Sequence, residues 1–274
     1  MTWKEVEIIF NRALSLTFSR KKLCFTAAIL VLCGMLIVLC RAIAAKANEY
    51  ITLSLTFFPI FCCTAVLLLL GILLIRIYHH EIKKLPVSYA RTLVSSKGLL
   101  IEVAYLCIPL VLAYFVLWAF LGMFYLLKCI PLFGNAFGVI FSFGPFLLLL
   151  SFFAICIASV LLLFFMTPCI ALQSKVDVEL LVQRFKSNPF SNILLLLLGL
   201  IPLFFLTGLM IGAAVMTGKS YFEAEKAVEV GFQWFFIMLP FCILLAPTII
   251  FFFNFSAECH ALMVKKMRGE NSLP

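Results

Sequence analysis

The chain has 274 residues, of which 65% are hydrophobic and only 12% charged. Soluble domains carry about 25% charged residues, so a mean hydropathy of +1.20 excludes a soluble globule and reads as a polytopic membrane protein. The net charge of +9 would suit nucleic acid in a soluble protein; here the basic residues flank apolar runs, so no nucleic-acid partner is expected and membrane topology accounts for them.

The first predicted element is a short amphipathic helix. Val6, Ile9, Phe10, Ala13 and Leu14 recur at helical spacing, with Glu5, Glu7, Asn11 and Arg12 on other faces. Thr2 and Glu5 have capping-box spacing. The motif "SRKK", which holds Lys21 and Lys22, then leads into an apolar run from Leu23 to Leu39. That run is longer than a typical signal-peptide core of about 7–15 residues, so a retained span is expected instead of a cleaved leader.

Six spans follow from apolar length, at 23–45, 51–77, 99–127, 146–172, 193–215 and 231–255, making residues 1–274 a single polytopic membrane domain. Spans must be helical, because lipid offers no partner for open backbone groups. The fold class is therefore an all-α integral membrane protein. Between the second and third spans, Leu85, Tyr89 and Leu93 mark a second amphipathic helix opening at Pro86, and "SSKG" leads into the bilayer. Residues 129–145 are apolar but rich in Gly and Pro. They read as an outer loop or helix extension, or as a re-entrant segment lining a cavity.

A third amphipathic helix is predicted after the fourth span. Ser174 and Asp177 have capping spacing, and Val178, Leu181, Val182 and Phe185 share a face. The junction "QRFKSNPFSN" then enters the fifth span. The whole stretch from Thr167 to Leu203 has a proline at a span end, a polar turn, a basic amphipathic helix and a Leu-rich span. It resembles the membrane domain of bacterial glycerophosphoryl diester phosphodiesterases, and other six-span bacterial membrane families. The likeness covers the layout of most of the chain, with its specific part at Pro168 to Leu203. The turn departs from the family's acidic residue and glycine, having Gln173, Ser174 and Lys175 instead. The resemblance implies a six-span membrane domain and no hydrolase activity, since no phosphodiesterase domain accompanies it.

The three junctions make the chain read as three copies of interfacial helix, span, span. Gly34, Pro109 and Pro202 fall at similar depth in the odd spans, and Pro59, Pro145 and Pro240 in the even ones. These prolines either serve packing or open a pathway. Before the sixth span, "TGKSYFEAEKAVEV" is the most acidic segment, read as a solvated helix start or as a surface for a partner protein. Sixteen Lys and Arg residues fall on the side of the termini and five on the other, which predicts cytoplasmic termini in a bacterial inner membrane.

Candidate chemistry is sparse. Glu102 is an acidic residue near a span interior, where a carboxylate is costly. It reads either as a partner of Arg91, Lys97 or Arg184, or as a proton or ion site. Arg12, Lys21, Lys22, Arg91, Lys97, Arg184 and Lys186 are the candidate contacts for anionic phospholipid head groups. His79, His80 and Glu81, and likewise Glu258, Cys259 and His260, read as solvated interface and match no metal-ligand spacing. The 11 cysteines act mainly as small hydrophobes, with a disulfide open only to Cys40 and Cys129. No nucleophile, metal or nucleotide motif is present, so no catalytic residue, metal or cofactor is assigned. The leading expectation is a non-enzymatic structural, assembly or accessory factor in contact with anionic lipid. The alternatives are a small-molecule or lipid transporter and, behind it, a head-group enzyme.

Overall fold

The computed structural model describes residues 3–44, 47, 49–85, 92, 94, 96, 98–129, 138–173, 189–216 and 227–270. Its main elements are seven helices: α1 (Trp3–Ser15), α2 (Arg20–Ala44), α3 (Glu49–Ile82), α4 (Leu99–Cys129), α5 (Gly138–Gln173), α6 (Pro189–Met216) and α7 (Ala227–Glu270). Among the described residues there is no strand. Six of the helices, α2 to α7, are long and apolar enough to cross a membrane, the architecture of a multi-pass membrane protein.

Each expected span falls on one of these helices, but the helices outrun the apolar runs. A polar residue does not end a helix unless the backbone has another partner, so α3 continues to Ile82 and α7 reaches 44 residues, about 66 Å at the helical rise. The end of α3 is set by geometry: Lys84 adopts a left-handed φ of 53° and the Leu85 N–H closes back on the His80 carbonyl, a Schellman-type stop. Pro59, Pro109, Pro202, Pro240 and Pro247 all lie inside helices. In a bundle, neighbouring groups and local adjustment tolerate the lost bond.

Over residues 138–145 the chain is a helix extension: α5 passes through Pro145 without a break and spans 36 residues. Residues 130–137 lie outside the described residues. So do most of the second predicted amphipathic helix and all of the third (174–188), and with them the test of a three-fold repeat. The first stands as α1, with Ile9 and Ala13 buried.

The core is organised around α7, which packs against α1, α2, α3, α5 and α6. From Ile249 to His260 every residue is buried, as expected of a helix covered on all faces. Close approach needs small residues. A Cβ on Gly71 would sit 2.3 Å from the Phe253 ring, and one on Gly34 would sit 2.8 Å from Cys242 Sγ. Rings fill the remaining space: Phe10 meets Phe251 at 4.9 Å, and Phe251 stacks on Phe255 at 5.7 Å. At the other end of the bundle, Ser54 Oγ and Tyr114 OH share a 2.8 Å hydrogen bond beside the stacked rings of Phe57 and Phe152. Helix α4 packs on α3 and α5 and turns Ile101, Tyr105 and Leu112 outward, an apolar surface that acyl chains would cover at no cost. Cys40 is buried as a free thiol; the Cys129 side chain lies outside the described residues.

Candidate functional site at the basic end of the bundle

The link between α1 and α2 brings backbone acceptors into a crowded corner. A helix ends with carbonyls that lack intrahelical partners. Here the Ala13 carbonyl accepts from Thr17 Oγ1 at 2.8 Å and from Asn254 Nδ2 at 3.4 Å. The Leu16 carbonyl accepts from Lys22 Nζ at 2.8 Å. Cations near a helix C-terminus are favoured by its dipole, and both Arg12 and Lys22 are placed there.

Lys22 is fully buried, with 0% of its surface exposed. Its ammonium is ion-paired with Glu81 Oε2 from the last turn of α3 and lies 5.9 Å from the centre of the Tyr78 ring. Tyr78 in turn donates its hydroxyl to Glu258 Oε1 at 2.8 Å, and the other Glu258 oxygen lies 3.6 Å from Arg12 Nη1. The result is a continuous group of two cations, two carboxylates and a phenol joining α1, α2, α3 and α7. Its charges cancel, which is the condition for keeping them out of water.

A second polar site lies on the other side of α3. Arg76 Nε donates to the Ala171 carbonyl at 3.3 Å and Nη1 to Ser96 Oγ at 3.0 Å, while Ser96 Oγ donates to the Thr92 carbonyl at 2.8 Å. Arg76 also interacts electrostatically with Glu102, whose Oε2 is buried without a hydrogen-bond partner.

These positions revise several expectations. Lys22 does not reach head groups; burial and pairing with Glu81 consume its donors. The described counter-charge of Glu102 is Arg76, one helix away, whereas Arg91, Lys97 and Arg184 lie outside the described residues, as does Lys186. Lys21 is exposed, and the Arg12 side chain is 53% exposed. Glu258, Cys259 and His260 are buried, not solvated, because α7 continues as a covered helix past its apolar run. His79 is exposed, as expected, but Glu81 is half-buried in its ion pair. One sequence signal was available: Asn254 and Glu258 are four residues apart, hence on one face of α7, and polar residues repeating on one face of a buried helix call for partners.

Between α1 and α7 a groove of about 510 Å³ opens beside Glu258. Ile8, Ile9, Ala261 and Leu262 form its apolar walls, and Glu5, Arg12, Glu258 and Lys265 its polar ones. Deeper in the bundle the α2–α7 contact around Gly34 and Cys242 leaves only about 10 Å³, less than a solute needs. Among the described residues, no three His, Cys, Asp or Glu side chains gather as metal ligands.

Comparison with known proteins finds no matching family model, no matching curated protein and no matching solved structure.

Proposed function

We propose that the chain is a non-enzymatic bacterial inner-membrane protein, with both termini cytoplasmic, that acts as a structural or assembly factor and contacts anionic phospholipid through its basic face. The observation that carries this reading is the docking of amphipathic α1 along α7 beside the basic ends of the spans. On this reading Lys4 and Arg12 of α1, with Lys21 and the exposed Lys83–Lys84 pair at the neighbouring helix ends, are the contacts for lipid head groups, each cation near an anionic surface contributing about 1 kcal/mol. The internal polar groups speak against catalysis as their main role. Lys22, Glu81, Tyr78, Glu258 and Arg76 are spent on one another and on backbone carbonyls, an arrangement suited to locking helices together. The Lys/Arg bias between loops supports the orientation.

The test is native mass spectrometry of the full chain with phosphatidylglycerol and cardiolipin. Neutralising Lys21, Lys83 and Lys84 together, all exposed, is expected to reduce anionic lipid retention severalfold. Unchanged retention would reject the reading. Solute flux in proteoliposomes would favour the transporter instead.

A further inference from the structure

Cysteine packs in apolar helices as a small hydrophobe, and packing alone does not require thiols of different helices to meet. Here they do. Cys33, midway along α2, and Cys63 on α3 are each 8% exposed. The Cys63 thiol donates to the Cys33 carbonyl at 3.8 Å, and the two side chains are also hydrogen-bonded to each other. Cys242 of α7, 5% exposed, lies close enough to both thiols to act on them electrostatically. A Cβ on Gly34 would lie 2.8 Å from the Cys242 sulfur, so the glycine beside Cys33 is what admits Cys242 to this level of the bundle.

Met35 and Met238 line the small gap between α2 and α7 together with Cys242, and Met35 is 50% exposed. Sulfur-bearing side chains therefore extend from the bundle surface to the Cys33–Cys63 pair. Thiolate and thioether sulfur select soft cations such as Cu(I), whereas Mg, Ca and Mn take oxygen ligands. Two sulfur donors are enough for Cu(I), whose filled d shell accepts linear coordination, while a structural Zn site takes four ligands. Burial then decides the charge balance, because a net charge in an apolar interior is costly. Cu(I) carries the same charge as the proton it displaces. One S–H bond breaks, a Cu–S bond forms in its place, the other thiol donates a lone pair, and the proton leaves to water. No electron moves, and the bundle gains no net charge.

We propose that Cys33 and Cys63 form a binding site for a soft monovalent cation, Cu(I), at the contact of α2 and α3, with Cys242 beside it and the Met35–Met238 gap as its approach. The hydrogen bond between the two thiols already holds them as a pair, so the ion takes the place of a proton between two sulfur lone pairs. The site lies within the spans and is independent of the lipid contact read from the basic face.

The experiment is anaerobic titration of the full chain in detergent with Cu(I), using bicinchoninate as the competing chelator. A single ion per chain should be retained, with sulfur-only coordination by X-ray absorption. Cys33→Ser and Cys63→Ser should each weaken retention by about 100-fold or more, the upper end for losing even a supporting partner of a metal ligand. Cys24→Ser, at an exposed position on α2, should bind as the wild type does. Cu(I) should also raise the unfolding temperature of the wild type, because a ligand of the folded chain stabilises it, and should leave that of Cys33→Ser/Cys63→Ser unchanged. No Cu(I) held against the chelator overturns the proposal, as does undiminished retention by the double variant. A nitrogen or oxygen donor shell in the wild type overturns it as well, whether or not the variants fold.

Discussion

Lys22 and Glu81 lie 59 residues apart in sequence, and their side chains form an ion pair in which the lysine is completely buried. The pair ties the first turn of α2 to the last turn of α3, and the Leu16 carbonyl takes another ammonium proton. Removing one member of a buried pair strands the other charge and costs about 3–5 kcal/mol, while replacing both by apolar residues is often neutral. Lys22→Met is therefore expected to destabilise by an amount near the lower end of that range, since the Glu81 side chain keeps 22% exposure. The double variant Lys22→Met/Glu81→Leu should recover most of the loss. Denaturant unfolding in detergent micelles measures both, and a single variant as stable as the wild type would count against the pair.

Helix packing makes a second prediction at Gly71. A Cβ there would lie 2.3–2.7 Å from three atoms of the Phe253 ring, and that ring is 1% exposed. A rigid ring with no free space cannot turn away, so the α3–α7 contact must open. Gly71→Ala should cost about 1–3 kcal/mol, the usual range for overpacking. Gly208→Ala is the control: nothing lies within 4 Å of its Cβ position, and the change should be neutral or slightly stabilising. Adding Phe253→Leu to Gly71→Ala should restore part of the lost melting temperature.

At Glu258 the two partners should differ in weight. Tyr78 is 2% exposed and donates to the carboxylate at 2.8 Å, and a hydrogen bond to a charged group contributes about 1.5–3 kcal/mol. The Arg12 side chain is 53% exposed and stands 3.6 Å away, so its pairing is screened and contributes about 0.2–1 kcal/mol. Tyr78→Phe should therefore destabilise more than Arg12→Gln. Only the Arg12 effect should shrink as salt is raised from 50 mM to 1 M, about a threefold fall in screening length or more. The reverse ranking would mean that the phenol is not the principal support of the carboxylate.

The sequence made the spans legible because bilayer thickness sets a length that a run of Leu, Phe and Ile either meets or does not. It also made α1 legible, since Ile9 and Ala13 repeat with the helical period and are the residues buried. The pairs Lys22–Glu81 and Tyr78–Glu258 were hidden for the same reason the spans were plain. A helix apolar on every face gives no hint of which neighbour it meets, and contacts separated by 59 and 180 residues depend on that choice. Glu258 was misread as solvated because the apolar run ends near Phe255, whereas the bundle extends beyond it: α1 covers α7 there and supplies the Ala13 carbonyl to Asn254.

The last prediction concerns Arg76 and Glu102. Arg76 is held by the Ala171 carbonyl and Ser96, so its position is fixed by groups other than the glutamate. The Glu102 oxygen Oε2 is buried without a hydrogen bond, so this carboxylate depends on the electrostatic attraction of Arg76. Arg76→Met should therefore be costly twice, once through the orphaned acceptors and once through the uncompensated carboxylate. In a Glu102→Gln background the second part disappears, so the same Arg76→Met change should cost less. A double-mutant cycle should give a favourable coupling of about 0.5–3 kcal/mol, the range for residues in one polar network. Strict additivity would mean that Glu102 is compensated elsewhere, and would reopen it as a site of proton or ion exchange.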